Sequence, residues 1–236
     1  PELIGDTGCF DYGEFTAEYS AFDMPLLYNL PRAGQCGNLP LMIKPDQENQ
    51  GFVTQAAMGA GFKAVLFTDI RSVEDVDIAH RIIRPDTPDE QGFMGVKLRR
   101  PALSSYDTQA YLTDLQSVVF CIMMEKAVAL ENLDPILDRA RSKGVDMTQW
   151  GPADFSFSMG DPGLQRSPKI RIYEEKVIAK SLEYGIHPRI EIGAVEQAKR
   201  YMDLGVRHFC LGWDRFILRQ QLTQLGTDMR KLTESL

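Results

Sequence analysis

Long apolar runs are missing. Nothing in the 236 residues approaches the ~20-residue length of a membrane-spanning helix, so no membrane partner is expected. Basic charge is in deficit: 26 Lys and Arg stand against 33 Asp and Glu, a formal net charge of −7 with a pI near 5.1. That balance argues against nucleic acid as a partner. Cysteine is sparse: Cys9, Cys36, Cys121 and Cys210 form no Cys-x-x-Cys pair and have no histidines at zinc spacing. Cys121 and Cys210 lie in apolar runs and read as reduced core thiols, which fits a reducing cytoplasm. Residues 1–5 carry neither the basic segment nor the apolar core of a signal peptide. A glycine-rich phosphate turn after an early strand is also missing, which speaks against an open dinucleotide-binding sheet.

What is present is 44% hydrophobic residues, enough for a large core. The most informative stretch is 118–125, seven apolar residues closed by the carboxylate of Glu125. A half-exposed strand alternates polar and apolar residues; this run does not, so it reads as a strand covered on both faces. Residues 145–154 repeat the design and end at Asp154, and 130–140 between them has apolar residues at helical spacing. Strand, helix, strand places both carboxylates at the same end of two neighbouring parallel strands. That is the end where barrels and open α/β sheets keep their sites. Two hard oxygen ligands side by side suit Mg²⁺ or Mn²⁺. Glu125 equally reads as an acid favouring the N-terminus of the following helix.

In chain order, strands are expected near 11–16, 39–44, 64–69, 118–125, 145–150, 188–192 and 208–213. Helices are expected over 47–58, from an N-cap at Ser72 to Ile83, over 106–116, 130–140, 170–184 and 195–204, and from Asp214 to the end. Residues 84–101 read as a long loop and 156–163 as a turn-rich one. Seven strands alternating with helices point to a (β/α)₈ TIM barrel as a single domain over 1–236. Its first strand is expected to be absent from the sequence given, which opens on what reads as a helix end.

At this point the sequence resembles the HpcH/HpaI aldolases, a family of metal-dependent pyruvate aldolases. Gly151-Pro152-Ala153-Asp154-Phe155-Ser156 followed by Met159-Gly160 is similar to their Gly-Pro-Ala-Asp-Leu-Ser signature. Glu125 with Ala129-Leu130-Glu131-Asn132-Leu133 resembles their Glu-Thr-x-x-Ala-x-x-Asn-Leu stretch. Residues 198–205 and Leu211-Gly212-Trp213-Asp214 are similar to their last barrel unit. The resemblance implies Glu125 and Asp154 as ligands of Mg²⁺ or Mn²⁺, a pyruvate-like 2-oxo acid as substrate with an aldehyde as second product, and an enolate stabilised by the metal. It implies that the turn of Gly151, Pro152 and Ala153 holds the substrate carboxylate, through the backbone amides available between Gly151 and Asp154. It also implies a homo-oligomer, a trimer or hexamer, in which the C-terminal helices (about 214–236) pack on or exchange with neighbours.

The departures bear on chemistry. The family's Asp-x-x-His pair is replaced around Glu18-Tyr19-Ser20, with Thr16 at the Asp position and Tyr19 at the His position. Its arginine at the end of the next strand appears as Lys44, and an aspartate in the following helix as Met58. The family's Arg-Gly loop becomes Gly92-Phe93-Met94-Gly95. Histidine can take and give a proton near neutrality, whereas tyrosine is mostly a donor. Lysine offers a compact charge where arginine offers a planar fork. Lys44, Tyr19 and Glu18 are therefore the candidate catalytic groups, for an aldolase-type carbon–carbon lyase with altered acid/base residues. A decarboxylase or hydrolase on the same scaffold, or a non-catalytic binding barrel, stays open. Asp69 is a substrate-contact candidate that could instead cap the next turn, and Arg71 is a candidate for a distal carboxylate. His80, His187 and His208, the Met123-Met124 pair and Trp150 fit core or structural roles, Trp150 alternatively a pocket wall; the cluster at 97–100 reads as a solvated basic patch.

Overall fold

The computed structural model describes residues 1–96 and 107–234. The basic cluster at 97–100 lies outside them. A short helix, α1 (Glu2–Asp6), precedes β1 (Gly13–Thr16), α2 (Met24–Cys36), β2 (Leu41–Lys44), α3 (Gln50–Ala60), β3 (Ala64–Phe67) and α4 (Val73–Ile83). Then come α5 (Thr108–Gln116), β4 (Val119–Met124), α6 (Ala127–Glu131), α7 (Leu133–Ser142), β5 (Met147–Trp150) and α8 (Pro152–Ser158). The chain closes with α9 (Arg171–Glu183), β6 (His187–Ile192), α10 (Ala198–Asp203), β7 (His208–Leu211) and α11 (Asp214–Glu234).

The strands form one parallel sheet in sequence order, β1 to β7. Each of the seven expected strands is found. The expected eight-strand closure is not: among the described residues the sheet ends at β1 and β7 without pairing them. The architecture is a curled, half-barrel sheet with helices on its outer face.

Strand periodicity sorts the side chains. Phe120, Ile122 and Met124 of β4 join Leu41, Ile43, Val65 and Phe67 in the core under the helices. Cys121 and Met123 face the other way, into a smaller cluster with Met42, Ala64, Leu66 and Met147. This is the concave face, and both faces of β4 are buried, as the unbroken apolar run requires.

Curling brings the outer strands together through a buried cation. Arg189 of β6 is fully buried. Its guanidinium donates to Glu14 of β1 at 2.5 Å, to the Tyr12 hydroxyl at 2.6 Å, and to the side-chain oxygen of Gln149. The Tyr12 hydroxyl also reaches the carbonyl of Phe209 on β7.

Helices α2 and α8 differ most from expectation. Periodicity assigns no element to 21–38, yet α2 is thirteen residues long. Its prolines hide it. Pro25 sits in the first turn, where a missing N–H is harmless, and the Asp23 side chain accepts from Leu26 N at 2.8 Å as cap. Pro31 lies inside the helix but is buried, with Leu27 and Gly34, on the face turned to the sheet. Tertiary packing overrides the local penalty there. The second is α8, which turns the expected Gly-Pro turn into two turns of helix that hold Asp154 in the first.

Candidate active site at the strand ends

The carboxyl ends of β1 to β5 converge on a polar mouth. Glu125 follows β4 and is 4% exposed. It is held there from two sides. The backbone N–H of Asp69 donates to Oε1 at 2.9 Å. Gly151 lies against the side chain so closely that a Cβ at that position would fall 2.4 Å from Oε2. Glycine at 151 is therefore a packing requirement of the glutamate. Burial is the main reason the Glu125 carboxyl is raised to about 7; the Asp69 N–H and the charges of Lys44 and Lys126 oppose the rise, and Asp154 adds to it.

Asp154 reaches the same mouth from the first turn of α8, its side chain 44% exposed. Asp69 completes a third side. Its φ is +59°, a left-handed conformation that turns its N–H toward Glu125. It does not cap α4: Ser72 and Asp75 form a reciprocal capping box there, with Asp75 N to Ser72 Oγ at 3.3 Å and Ser72 N to Asp75 Oδ2 at 2.9 Å. Instead the Asp69 carboxylate pairs with Lys126, a residue the sequence reading passes over. The Lys126 ammonium also lies 3.3 Å from Asp154 Oδ1. Together Lys126, Asp154, Arg71 and Glu131 line a cleft of about 400 Å³.

A second cluster stands on the β1–β2 side. Lys44, at the end of β2, pairs with Glu18 at 2.6 Å, donates to the Tyr19 hydroxyl at 3.3 Å and lies 4.7 Å from the Tyr19 ring centroid. Burial works against the lysine charge, but the Glu18 contact outweighs it and holds the proton above the usual lysine range. The charges of Lys44 and Glu125 act on each other, which joins the two clusters into one site. Tyr19 is raised to about 12, chiefly by desolvation on its packed side although the residue is 56% exposed overall, with Lys44 opposing; it stays a phenol at neutral pH. Its ring stacks on Trp213 at 6.0 Å, which brings the start of α11 to the site.

The structure thus places Glu18, Tyr19, Lys44, Asp69, Glu125, Gly151 and Asp154 at one end of the sheet. Pro152 and Ala153 lie exposed in the first turn of α8. Trp150 points away, packed on Phe155 at 4.8 Å in the core beneath the helices. His187 and His208 pair at 5.3 Å at the opposite end of their strands, and His80 faces Glu90 at 3.5 Å. Met58 is buried in α3, and Gly92 packs under the Arg84 carbonyl in the loop after α4. Among the described residues no set of three or more His, Cys, Asp or Glu side chains forms a metal cage. Of the carboxylates at this mouth, Glu125 and Asp154 are the two that could hold a cation while Asp69 stays paired with Lys126. A deeply buried carboxylate whose charge is under-compensated, beside a partly exposed one, fits a hard divalent ion that completes its shell with water and ligand oxygens.

Comparison with known proteins follows the same lines. A 4-hydroxy-2-oxo-heptane-1,7-dioate aldolase of Shigella flexneri is 30% identical over 156 residues, 65% of this chain and 57% of that protein. One of that name from Klebsiella pneumoniae is 28% identical over 222 residues, covering 92% and 80%. The chain thus spans a little over half the length of the first of these relatives. Among solved structures, citrate synthase SbnG superposes with a TM-score of 0.81 at 20% identity, covering 98% of this chain and 90% of that one. An HpcH/HpaI aldolase from Desulfitobacterium hafniense does so at 0.81 and 19%, covering 97% and 86%. At such identities the likeness speaks for fold. The family model for HpcH/HpaI aldolase/citrate lyase matches residues 23–220, and the chain belongs to that family.

Proposed function

We propose that this protein is a carbon–carbon lyase that splits a 4-hydroxy-2-oxo acid into pyruvate, or a close analogue, and an aldehyde. The observation that carries the reading is the convergence of Glu125, Asp154 and the buried Lys44 ammonium at one mouth. The names of the aldolase relatives support it. Glu125 and Asp154 would hold Mg²⁺ or Mn²⁺, which supplies Lewis acidity toward the 2-oxo group.

The remaining roles fall to the chain itself. The amides of Ala153 and Asp154 belong to the first turn of α8, which lacks intrahelical acceptors, and they suit the substrate carboxylate. Cleavage removes the proton of the C4 hydroxyl, breaks the C3–C4 bond to free the aldehyde, and leaves the electron pair as an enolate that takes a proton at C3. Tyr19, fixed as a phenol, serves as a donor and not as the base. The acceptor in its cluster is Glu18, in ion-pair contact with Lys44. Lys44 presents the positive charge toward the developing enolate oxygen.

The test is exchange of pyruvate methyl protons into deuterated water with Mn²⁺ present, followed by NMR, together with product analysis on 4-hydroxy-2-oxo acids. Exchange and release of pyruvate plus aldehyde are expected. Release of CO₂ without an aldehyde would assign a decarboxylase, and no exchange with any 2-oxo acid overturns the enolate reading.

A further inference from the structure

The Lys126 ammonium occupies the ground a cation would contest. Its side chain is 13% exposed and bridges the ends of three neighbouring strands: Asp69 after β3, Lys126 itself after β4, and Asp154 after β5. Its backbone is fixed, because it caps the start of α6 and the next N–H, of Ala127, donates to Ser158 Oγ at 2.8 Å. The ammonium contacts both flanking carboxylates and is within electrostatic reach of Glu125. Arg71 stands 3.7 Å from Asp69 on the outer side, with half its side chain exposed.

We propose that Lys126 is a tethered counter-ion that competes with a divalent cation for Asp154, so that the cation enters only as the ammonium withdraws onto Asp69. This rests on the reading of Glu125 and Asp154 as cation ligands. The physical reason is direct. A dication on those two carboxylates would sit beside a tethered positive charge, and the two repel strongly in a partly buried site. Asp69 is then the parking place for the ammonium. The consequence is weak, exchangeable cation binding in which the lysine offsets part of the Asp69 and Asp154 charge when no ion is present.

Removing the ammonium and removing its Asp69 partner have opposite expected effects, which a purely structural salt bridge does not give. With Lys126→Met, Mn²⁺ affinity of the full chain should rise at least tenfold, read by calorimetry or by the loss of the free Mn²⁺ electron-spin signal. With Asp69→Asn, the ammonium keeps only Asp154 and affinity should fall. Lys126→Arg should stay near the parent value. Lys126→Gln serves if the methionine variant does not fold, as judged by its melting transition. Equal or weaker binding by both neutral Lys126 variants overturns the competition while leaving the Glu125–Asp154 site standing. No Mn²⁺ binding by parent or variants at millimolar concentration overturns the site and the competition with it. In the tight-binding variant, adding Glu125→Gln should abolish the gain.

Discussion

Single residues set the charge state of the mouth. The Glu125 carboxyl lies near 7 where an ordinary glutamate lies at 4.5, mainly because it is buried. Between those values the folded chain holds more protons than the unfolded one. Stability of the metal-free protein therefore falls as pH rises through that window, by up to roughly 3 kcal/mol. Glu125→Gln removes this charge. It should melt higher than the parent at about pH 8 in chelator and match it at about pH 5; a gap of equal size at both pH values would falsify the buried-charge account. Lys44 is the complementary case. Lys44→Met strands the Glu18 carboxylate, which is 18% exposed, and should destabilise by roughly 3 kcal/mol. The double variant with Glu18→Gln should recover most of that loss in a urea titration, because a neutral side chain tolerates the site.

Elements decide where these residues stand. The loop after β3 is pinned by the Ser72–Asp75 box, so Asp69 is held between that anchor and Glu125. Helix α2 is anchored differently, by close approach. A Cβ on Gly34 would lie 2.6 Å from the Leu39 carbonyl, so Gly34→Ala must push the helix from β2. A loss of about 1–3 kcal/mol is expected from overpacking, measured as a lower urea midpoint with unchanged slope. The same substitution at half-buried Gly51 of α3, where a Cβ meets nothing, should be neutral or slightly stabilising. Much of this element level is legible from the residues: β4 from its unbroken apolar run, α4 from its cap. Helix α2 is not, because Pro25 and Pro31 signal breaks that only packing against the sheet overrules.

At the scale of the whole molecule two features stand out. The Arg189 network joins β1 to β5 and β6 across the concave face through one buried guanidinium. The other is α11, a 21-residue helix with Phe216, Ile217, Leu218, Leu222, Leu225 and Met229 exposed. A stripe of that length rarely stays in water. Self-association through this helix is expected: sedimentation should show an oligomer at micromolar concentration, and Leu222→Glu with Leu225→Glu should shift it to monomer. A parent chain that sediments as a monomer refutes this. Because Trp213 stacks on Tyr19 at the root of α11, the monomeric variant should also lose activity in excess of any loss of stability.

The residues by themselves determine the seven strands and most of the helices between them, and with these the end of the sheet at which Glu125 and Asp154 emerge. Side-chain period and chain direction are local properties, readable along the sequence. Which charges meet at that end is not local. Lys126 follows Glu125 directly and gives no sign in the sequence of bridging Asp69 and Asp154, 57 residues before it and 28 after. Arg189 likewise gives no sign of reaching Glu14, 175 positions away. Only the curled sheet supplies those distances, and the strength of an ion pair depends on separation and burial, neither of which a sequence carries.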